Sequence, residues 1–598
     1  MASINRDVWK KTGDPKKIAL VIAGAGSLGS YEAGVLVELT YALSVLNQSR
    51  ERLDGPAGAT EGPFVIDAIT GASAGGMNAA ILARVSMYES HRRDRLHTAW
   101  VEQISIDALL EDDPRQQNAL LSKTLVRRIA EAHLLDAAPA AFDPASFAPD
   151  DLRVGLTLTN LHGLDYRVLT RSLSSPAPGF LTTRFSDEGR FRFKKDGFGQ
   201  VDWSMLTDAA IATGNFPLAF MPQTLMRNAT DYSTENPPTL AAPPPPPGTP
   251  YFPHHLAFID GGMFDNEPLG MAINFAAEID AGPPDPERLF LLVHPNITLS
   301  DHRDETDDRV GYLSEDLGLG AQVKRLLSML LTENAVSDWV RANKVNDRAR
   351  WRDDFVRELG RMIAGTEVED PQALIGGLDD LADVITRKRA RTNPAAYRAA
   401  ALRNIQKRVP AIYDGLGPPG PPASRRQQIF LLILFILDHV ADLQGKAPLW
   451  LEVIGADPEL PLAGSRVSGF AGFFNEEWRA YDYRRGRVDA RAAFTGGAQP
   501  LRALLGDYPP EPVAEQPSKP APGEPDEYDA DRDRWRARLR SPHFPLVTFD
   551  DIDAGRQKAF RDRIGDRVKT MLGISGLTGM AFDLFIKPRI AKLLRGGP

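Results

Sequence analysis

Apolar and polar positions repeat with two different periods in the first half of the chain. Ile18 to Ala23 is an unbroken apolar run of strand length, and Tyr31 to Leu46 repeats apolar residues at helical spacing. The pattern predicts a buried strand followed by a helix. Phe64 to Thr70 reads as a second strand, and the segment GGMNAAILARVS after it as a second helix. Strand, loop, helix, strand, tight turn, helix is the opening of an α/β domain with a parallel sheet, whose ligands sit at the carboxyl ends of the strands. Further along, Arg92 to Leu135 reads as helical with a polar face. LRVGLTLTNL and LDYRVLTRSL read as a hairpin-like strand pair turning at His162-Gly163, and strands are expected around Phe258 and Leu292. The proline-rich stretch Pro237 to His255 should form a surface loop.

Beyond about Ser300 the texture changes to long charged helices. The longest apolar run, Ile429 to Leu437, falls well short of the roughly 20 residues needed to span a bilayer and predicts a buried core helix. Proline-rich breaks at Gly417–Pro422 and Pro509–Pro525 divide this half. The expected organisation is an N-terminal tail over 1–17, an α/β domain over 18–300, a helical accessory region over 301–425, and a helical extension over 426–598. The length of 598 residues calls for more than one domain.

Composition narrows the function classes. The net charge of −9 argues against general nucleic-acid binding, which needs a basic surface. With no cysteine in the chain, disulfides, thiolate metal sites and a cysteine nucleophile are excluded together. No basic segment leading into an apolar core opens the chain, so the expected location is cytoplasmic.

Two glycine motifs carry the candidate chemistry. Gly24, Gly26 and Gly29 form GxGxxG between the first strand and the first helix. As a dinucleotide site this motif needs an acid about 20 residues on, at the end of the next strand. Glu51 and Asp54 instead lie in a polar connection, and Asp67 lies in mid-strand. Gly71-Ala72-Ser73-Ala74-Gly75 is a GxSxG at a strand-to-helix turn, the setting of a nucleophilic serine and equally of a tight turn with a capping serine. A serine nucleophile needs a base. His294 in HPN is one option, and Asp260 in LAFIDGGMFDNEP is the better one, since it ends an apolar strand on the same sheet edge. The glycine loop then offers backbone amides to an oxyanion.

Taken together, the glycine loop, GASAGG around Ser73 and DGGMFDNEP around Asp260 resemble the patatin-like phospholipase family. AAIATGNFPLAFMP, Ala209 to Pro222, and the strands VGLTLTNL and DYRVL are also similar to it. The resemblance covers about Ile18 to Asn296. It implies a three-layer α/β/α fold with a mostly parallel sheet, joined here to a largely helical C-terminal region. It also implies a Ser-Asp dyad: Ser73 as nucleophile, Asp260 as general base, and the Gly24-Ala25-Gly26 loop with Gly29 as oxyanion hole. Gly71, Gly75, Gly261 and Gly262 would support these motifs. The implied reaction is hydrolysis of a lipid acyl ester through an acyl-enzyme, with no metal or cofactor. Two positions depart from the family pattern. Ala25 stands where a glycine is frequent, and Leu28 where arginine or lysine is usual, which leaves lysophospholipid, neutral lipid and thioester substrates open alongside phospholipid. A noncatalytic lipid-binding or scaffold protein, an acyltransferase or thioesterase using the same dyad, and a nucleotide-binding oxidoreductase are the alternatives.

The C-terminal half resembles, through Gly469 to Ala490, the extension of some larger bacterial patatin-related proteins. Its aromatics Phe470, Phe473, Phe474, Trp478 and Tyr481 are expected to pack in a core. The tail from Met580 alternates apolar residues with Lys587, Arg589, Lys592 and Arg595. That spacing fits either a helix lying in an anionic lipid surface or a helix docked on the body. The charge run Asp526–Arg540 reads as a solvated helix face.

Overall fold

A computed structural model describes residues 15–58, 63–111, 119–168, 180–232, 254–295, 337–365, 370–389, 394–412, 424–441 and 449–495 apart from short gaps, with 240–241 and scattered positions between 555 and 569. The linker Pro509–Pro525, the charge run Asp526–Arg540, the tail from Met580 and most of the proline-rich stretch 237–255 lie outside the described residues.

The described chain forms two units, one of residues 1–272, 289–336 and 451–598, the other of 273–288 and 337–450. The first is built on a nine-stranded sheet. Its strands are β1 (Lys16–Ile22), β2 (Phe64–Gly71), β3 (Asp151–Val168), β4 (Phe180–Lys194), β5 (Gln223–Arg227), β6 (Leu240–Ala241), β7 (His254–Asp260), β8 (Leu289–His294) and β9 (Trp450–Gly455). They lie in the order β5-β7-β3-β2-β1-β8-β9, with β4 and β6 also pairing with β3. The centre is parallel, because β1 pairs with β2 and β8, and β2 with β3. The flank beyond β3 is antiparallel. Helices lie on both sides of this mixed, mostly parallel sheet.

The apolar runs explain the central strands. Ile18 to Ile22 and all of β8 are buried, as strands covered on both faces must be. Helix α1 (Gly29–Gly58) follows β1, and α2 (Ser73–Tyr88) follows β2. Every residue of α2 after Ser73 is buried, so small residues such as Gly75, Gly76, Ala79 and Ala80 let it lie close to the sheet. Helices α3 (Thr124–Leu134) and α4 (Trp203–Thr213) follow, and α5 (Leu269–Ile279) precedes β8. The stretch from Arg92 to Leu135 is thus a series of short helical turns ending in α3 and not one long helix.

The expected hairpin at His162-Gly163 is corrected. LRVGLTLTNL and LDYRV are one strand, β3, with an irregularity between Thr159 and Leu164 where Gly163 takes φ +66°. The extra residues bend the strand without reversing it, as a bulge does. The partner of β3 is β4, which the sequence pattern did not reveal. Within the proline-rich stretch, Leu240–Ala241 pairs with Arg167–Val168, so part of it joins the sheet.

The second unit contains α6 (Ser337–Gly365), α7 (Pro371–Arg389), α8 (Pro394–Ile412) and α9 (Arg425–Val440). Ile429, Phe430, Leu432, Leu434 and Phe435 of α9 are buried with Val356, Leu359, Ala382 and Ile405, which is the buried core helix expected from that apolar run. A capping box of Ser424 and Gln427 starts α9.

A further helix, α10 (Glu476–Thr495), lies in the first unit against α1. The approach is close because glycines face backbone on both sides: a β-carbon at Gly34 would stand 1.9 Å from the Tyr483 carbonyl oxygen, and one at Gly486 2.0 Å from that of Tyr31. The buried Glu38 carboxylate accepts from Arg487 Nε at 3.0 Å and Arg491 Nε at 2.8 Å. Removing Glu38 leaves the buried Arg487 guanidinium and its neighbour without that carboxylate. Glu38→Ala should therefore destabilise this unit by about 3–5 kcal/mol, read as a lower urea midpoint for its transition.

Candidate functional site

The site lies at the carboxyl edge of the parallel strands. Strand β2 ends at Gly71, and the chain turns through Ala72 into α2 with Ser73 at φ +50°, a left-handed conformation rare for a residue with a side chain. Close packing holds this strained elbow. A β-carbon at Gly71 would fall 2.3 Å from the Gly75 carbonyl oxygen, and one at Gly75 2.4 Å from the Ala23 carbonyl oxygen, so strand and helix meet here only through glycine. The Ser73 amide donates to Thr213 Oγ1 at 2.9 Å, which ties the elbow to the end of α4.

Asp260 ends β7, one ladder step from β3, where Leu158 is its partner. Ser73 Oγ donates to Asp260 Oδ2 at 2.7 Å, and the Gly262 amide donates to Oδ1 at 2.8 Å. The backbone of Asp260 is fixed as well. Its amide donates to the Asn215 carbonyl at 3.0 Å, and its carbonyl accepts from Thr159 Oγ1 at 2.7 Å. Only 3% of Asp260 is exposed. Burial pushes its carboxyl up to about 7, against the hydrogen bonds from Ser73 and Gly262 that lower it. Gly261 and Gly262, both buried, form the short helical turn after Asp260.

The glycine loop lies beside this pair. The Gly24 amide donates to the Asn266 carbonyl at 3.0 Å, and Asn266 Nδ2 donates back to the Gly24 carbonyl at 3.2 Å. That amide is therefore engaged within the protein, unlike the sequence-based expectation for the whole loop. Among the described residues no hydrogen bond takes the amides of Ala25 and Gly26, which stand at the start of a short turn over Gly26–Leu28. Gly29 closes that turn and begins α1. Leu28 is fully buried.

His294 ends β8, with its Nε2 2.8 Å from the buried Glu267 carboxylate. The Ser73 hydroxyl hydrogen-bonds to Asp260 and not to His294. Thr213, Asn215, Thr159 and Asn266 hold the pair and the loop in place, and none was legible in the sequence as a site residue. Each nevertheless lies in a stretch with a family signal: Thr159 in VGLTLTNL, Thr213 and Asn215 in AAIATGNFPLAFMP, and Asn266 in DGGMFDNEP. Among the described residues no cluster of His, Asp or Glu has the arrangement of a metal site.

Residues 20–273 match the model of the family described as patatin-like phospholipase. The chain is also similar to an uncharacterized membrane protein of Mycobacterium tuberculosis, Rv3479, at 27% identity over 324 residues. That match takes in 52% of this chain and 28% of the relative, so the chain spans under a third of the relative's length. No described helix is long and apolar enough to cross a membrane. The crystal structure of VipD from Legionella pneumophila aligns with 98% of this chain and 89% of its own, at TM-score 0.21 and 11% identity, a similarity from which no shared function follows.

The raised Asp260 carboxyl carries a pH consequence. The folded state holds that proton up to about 7, whereas an unfolded aspartate releases it near 3.9. The folded state thus binds more protons between these values, and stability falls as pH rises from about 4 to about 7. Asp260→Asn should flatten that slope and unfold at higher urea than the unsubstituted protein at pH 8. An unchanged slope in urea titrations would contradict the assignment.

Proposed function

We propose that the protein is a serine lipid acyl hydrolase in which Ser73 is the nucleophile, Asp260 the general base, and the glycine loop the oxyanion hole. The observation that carries this reading is the 2.7 Å hydrogen bond from a strained, elbow-borne Ser73 to a buried carboxylate. The match of residues 20–273 to a phospholipase family supports the substrate class, a lipid acyl ester.

In the proposed reaction Ser73 Oγ attacks the ester carbonyl as Asp260 Oδ2 takes the hydroxyl proton. The carbonyl oxygen becomes an oxyanion, stabilised by the Ala25 and Gly26 amides and the N-terminal ends of the adjoining helical turns. Collapse breaks the ester C–O bond, and the leaving alcohol takes the proton from Asp260, leaving acyl-Ser73. Water then attacks the acyl group with Asp260 again accepting a proton. The free acid departs and the proton returns to Ser73. A carboxyl tuned to about 7 suits this double role, because it is ionised for the attack yet acidic enough to return the proton. The base acts only when ionised, so activity should rise with pH through about 7.

Ser73→Ala and Asp260→Asn should each lower turnover of a short-chain aryl ester by about 10³-fold or more, with the circular dichroism spectrum unchanged. A fluorophosphonate should label Ser73. Retained turnover in either variant, or no labelling of folded protein, would overturn the reading and favour a noncatalytic lipid-binding role.

Peripheral contact with an anionic membrane through the tail from Met580 belongs to the same proposal. Deleting the residues after Gly579 should weaken binding to anionic liposomes, and unchanged binding would remove the tail from it.

A further inference from the structure

The glycine loop is covered by a segment that follows it by more than 400 residues in the chain. The Gly472 amide donates to Ser27 Oγ at 3.0 Å, and both groups are buried. Gly26, at φ +58°, lies directly against Gly469: a β-carbon on Gly26 would stand 2.9 Å from the Gly469 carbonyl oxygen. The Leu28 side chain packs on Gly464, where a β-carbon would meet Leu28 Cδ2 at 3.0 Å. Three successive residues of the loop are therefore each fitted to a glycine of the late segment. This also accounts for Leu28, since an apolar side chain is what that buried contact requires.

The segment is itself held firmly. The Asp482 carboxylate accepts from the Ala463 amide at 2.7 Å and the Gly464 amide at 2.8 Å. Arg479 donates to the Gly472 carbonyl at 3.0 Å and, through Nε and Nη2, to the Val101 carbonyl at 3.0 and 2.8 Å. Asp482 and Arg479 both project from α10, which the Glu38 ion pairs and the facing glycines lock to α1. The turn Gly26–Leu28 is thus fixed at one end by its own helix and on its outer side by the late segment. Phe473 and Tyr481 are buried in this arrangement, and Phe474 and Trp478 half-buried, while Phe470 lies outside the described residues.

We infer that Gly464, Gly469 and Gly472 form a positioning element of the active site, which aims the Ala25 and Gly26 amides by holding Gly26, Ser27 and Leu28 from outside. The inference rests on the hydrolase reading for its catalytic consequence. Its structural content, that the late segment orders the loop, stands apart from that reading. The functional catalytic unit then extends past the family match at 273 to include the chain as far as α10.

The test is Ser27→Ala in the full chain, with Tyr31→Phe as comparison. Tyr31 bonds Asp489 across the helix pair at 3.2 Å and does not touch the loop. Amide hydrogen exchange over residues 22–30 should quicken about tenfold in Ser27→Ala and stay unchanged in Tyr31→Phe. Turnover of the aryl ester should fall about tenfold or more in kcat with KM moved less than about twofold, because the donors act on the transition state. Ser27→Cys, nearly isosteric and a weaker acceptor, should give an intermediate effect, and carries the test should the alanine variant fail to fold. Unchanged loop exchange in the serine variants, or equal quickening in Tyr31→Phe, would overturn the positioning role. Quickened exchange in a protein without any hydrolysis would uphold the positioning role and overturn the hydrolase reading.

Discussion

A carboxyl group removed from water is stable only where its surroundings replace the lost hydration, and Asp260 is the point on which this fold concentrates that requirement. Each polar group around it meets part of the need. Ser73 and Gly262 donate to its two oxygens, and Thr159 and Asn215 fix its carbonyl and amide. These four partners come from four places in the chain, brought together where the parallel centre of the sheet gives way to its antiparallel flank. Two donors are too few to offset full burial, so the carboxyl stays near neutrality in its proton affinity. That incomplete compensation keeps its proton affinity well above that of an exposed aspartate.

The same edge of the sheet shows how strain and packing are shared. Ser73 sits at a backbone conformation that costs free energy, and the cost is met by the contacts of Gly71 and Gly75 and by the Thr213 hydroxyl. The glycine loop has a related problem. The Gly24 amide is bound by Asn266, those of Leu28 and Gly29 close the turn, and those of Ala25 and Gly26 take no hydrogen bond among the described residues. Amides without such a bond cannot hold the loop in place. Other contacts must do so, and they come from the far end of the first unit. Leu28, unusual for the family pattern at this position, belongs to that contact and not to a surface facing a headgroup.

Much of the catalytic half was legible in the sequence because its signals are local. Ile18–Ile22 and Leu289–His294 declare themselves as buried strands by apolar continuity, and GxSxG and GxGxxG by close backbone approach that only glycine permits. What stayed hidden depends on pairing. β4 carries Arg184, Asp187, Glu188, Arg190 and Arg192, a composition that reads as a polar loop until β3 is placed beside it. His162-Gly163 has the letters of a hairpin turn, and only the continuing ladder shows that the strand bends and goes on. β5 is five residues long, with a buried-exposed alternation too short to stand out.

The sequence by itself determined the parallel α/β opening and the core helix from Ile429, and it singled out Ser73 and Asp260 as candidates at the ends of two strands. Each follows from local periodicity or from glycine at a fixed spacing. The tertiary structure decided which amides of the glycine loop are open, why Leu28 is apolar, and that residues 463–495 belong with the first helix of the chain. Those facts rest on contacts between segments hundreds of residues apart, where a serine hydroxyl, a glycine amide or a buried arginine looks ordinary until its partner is beside it.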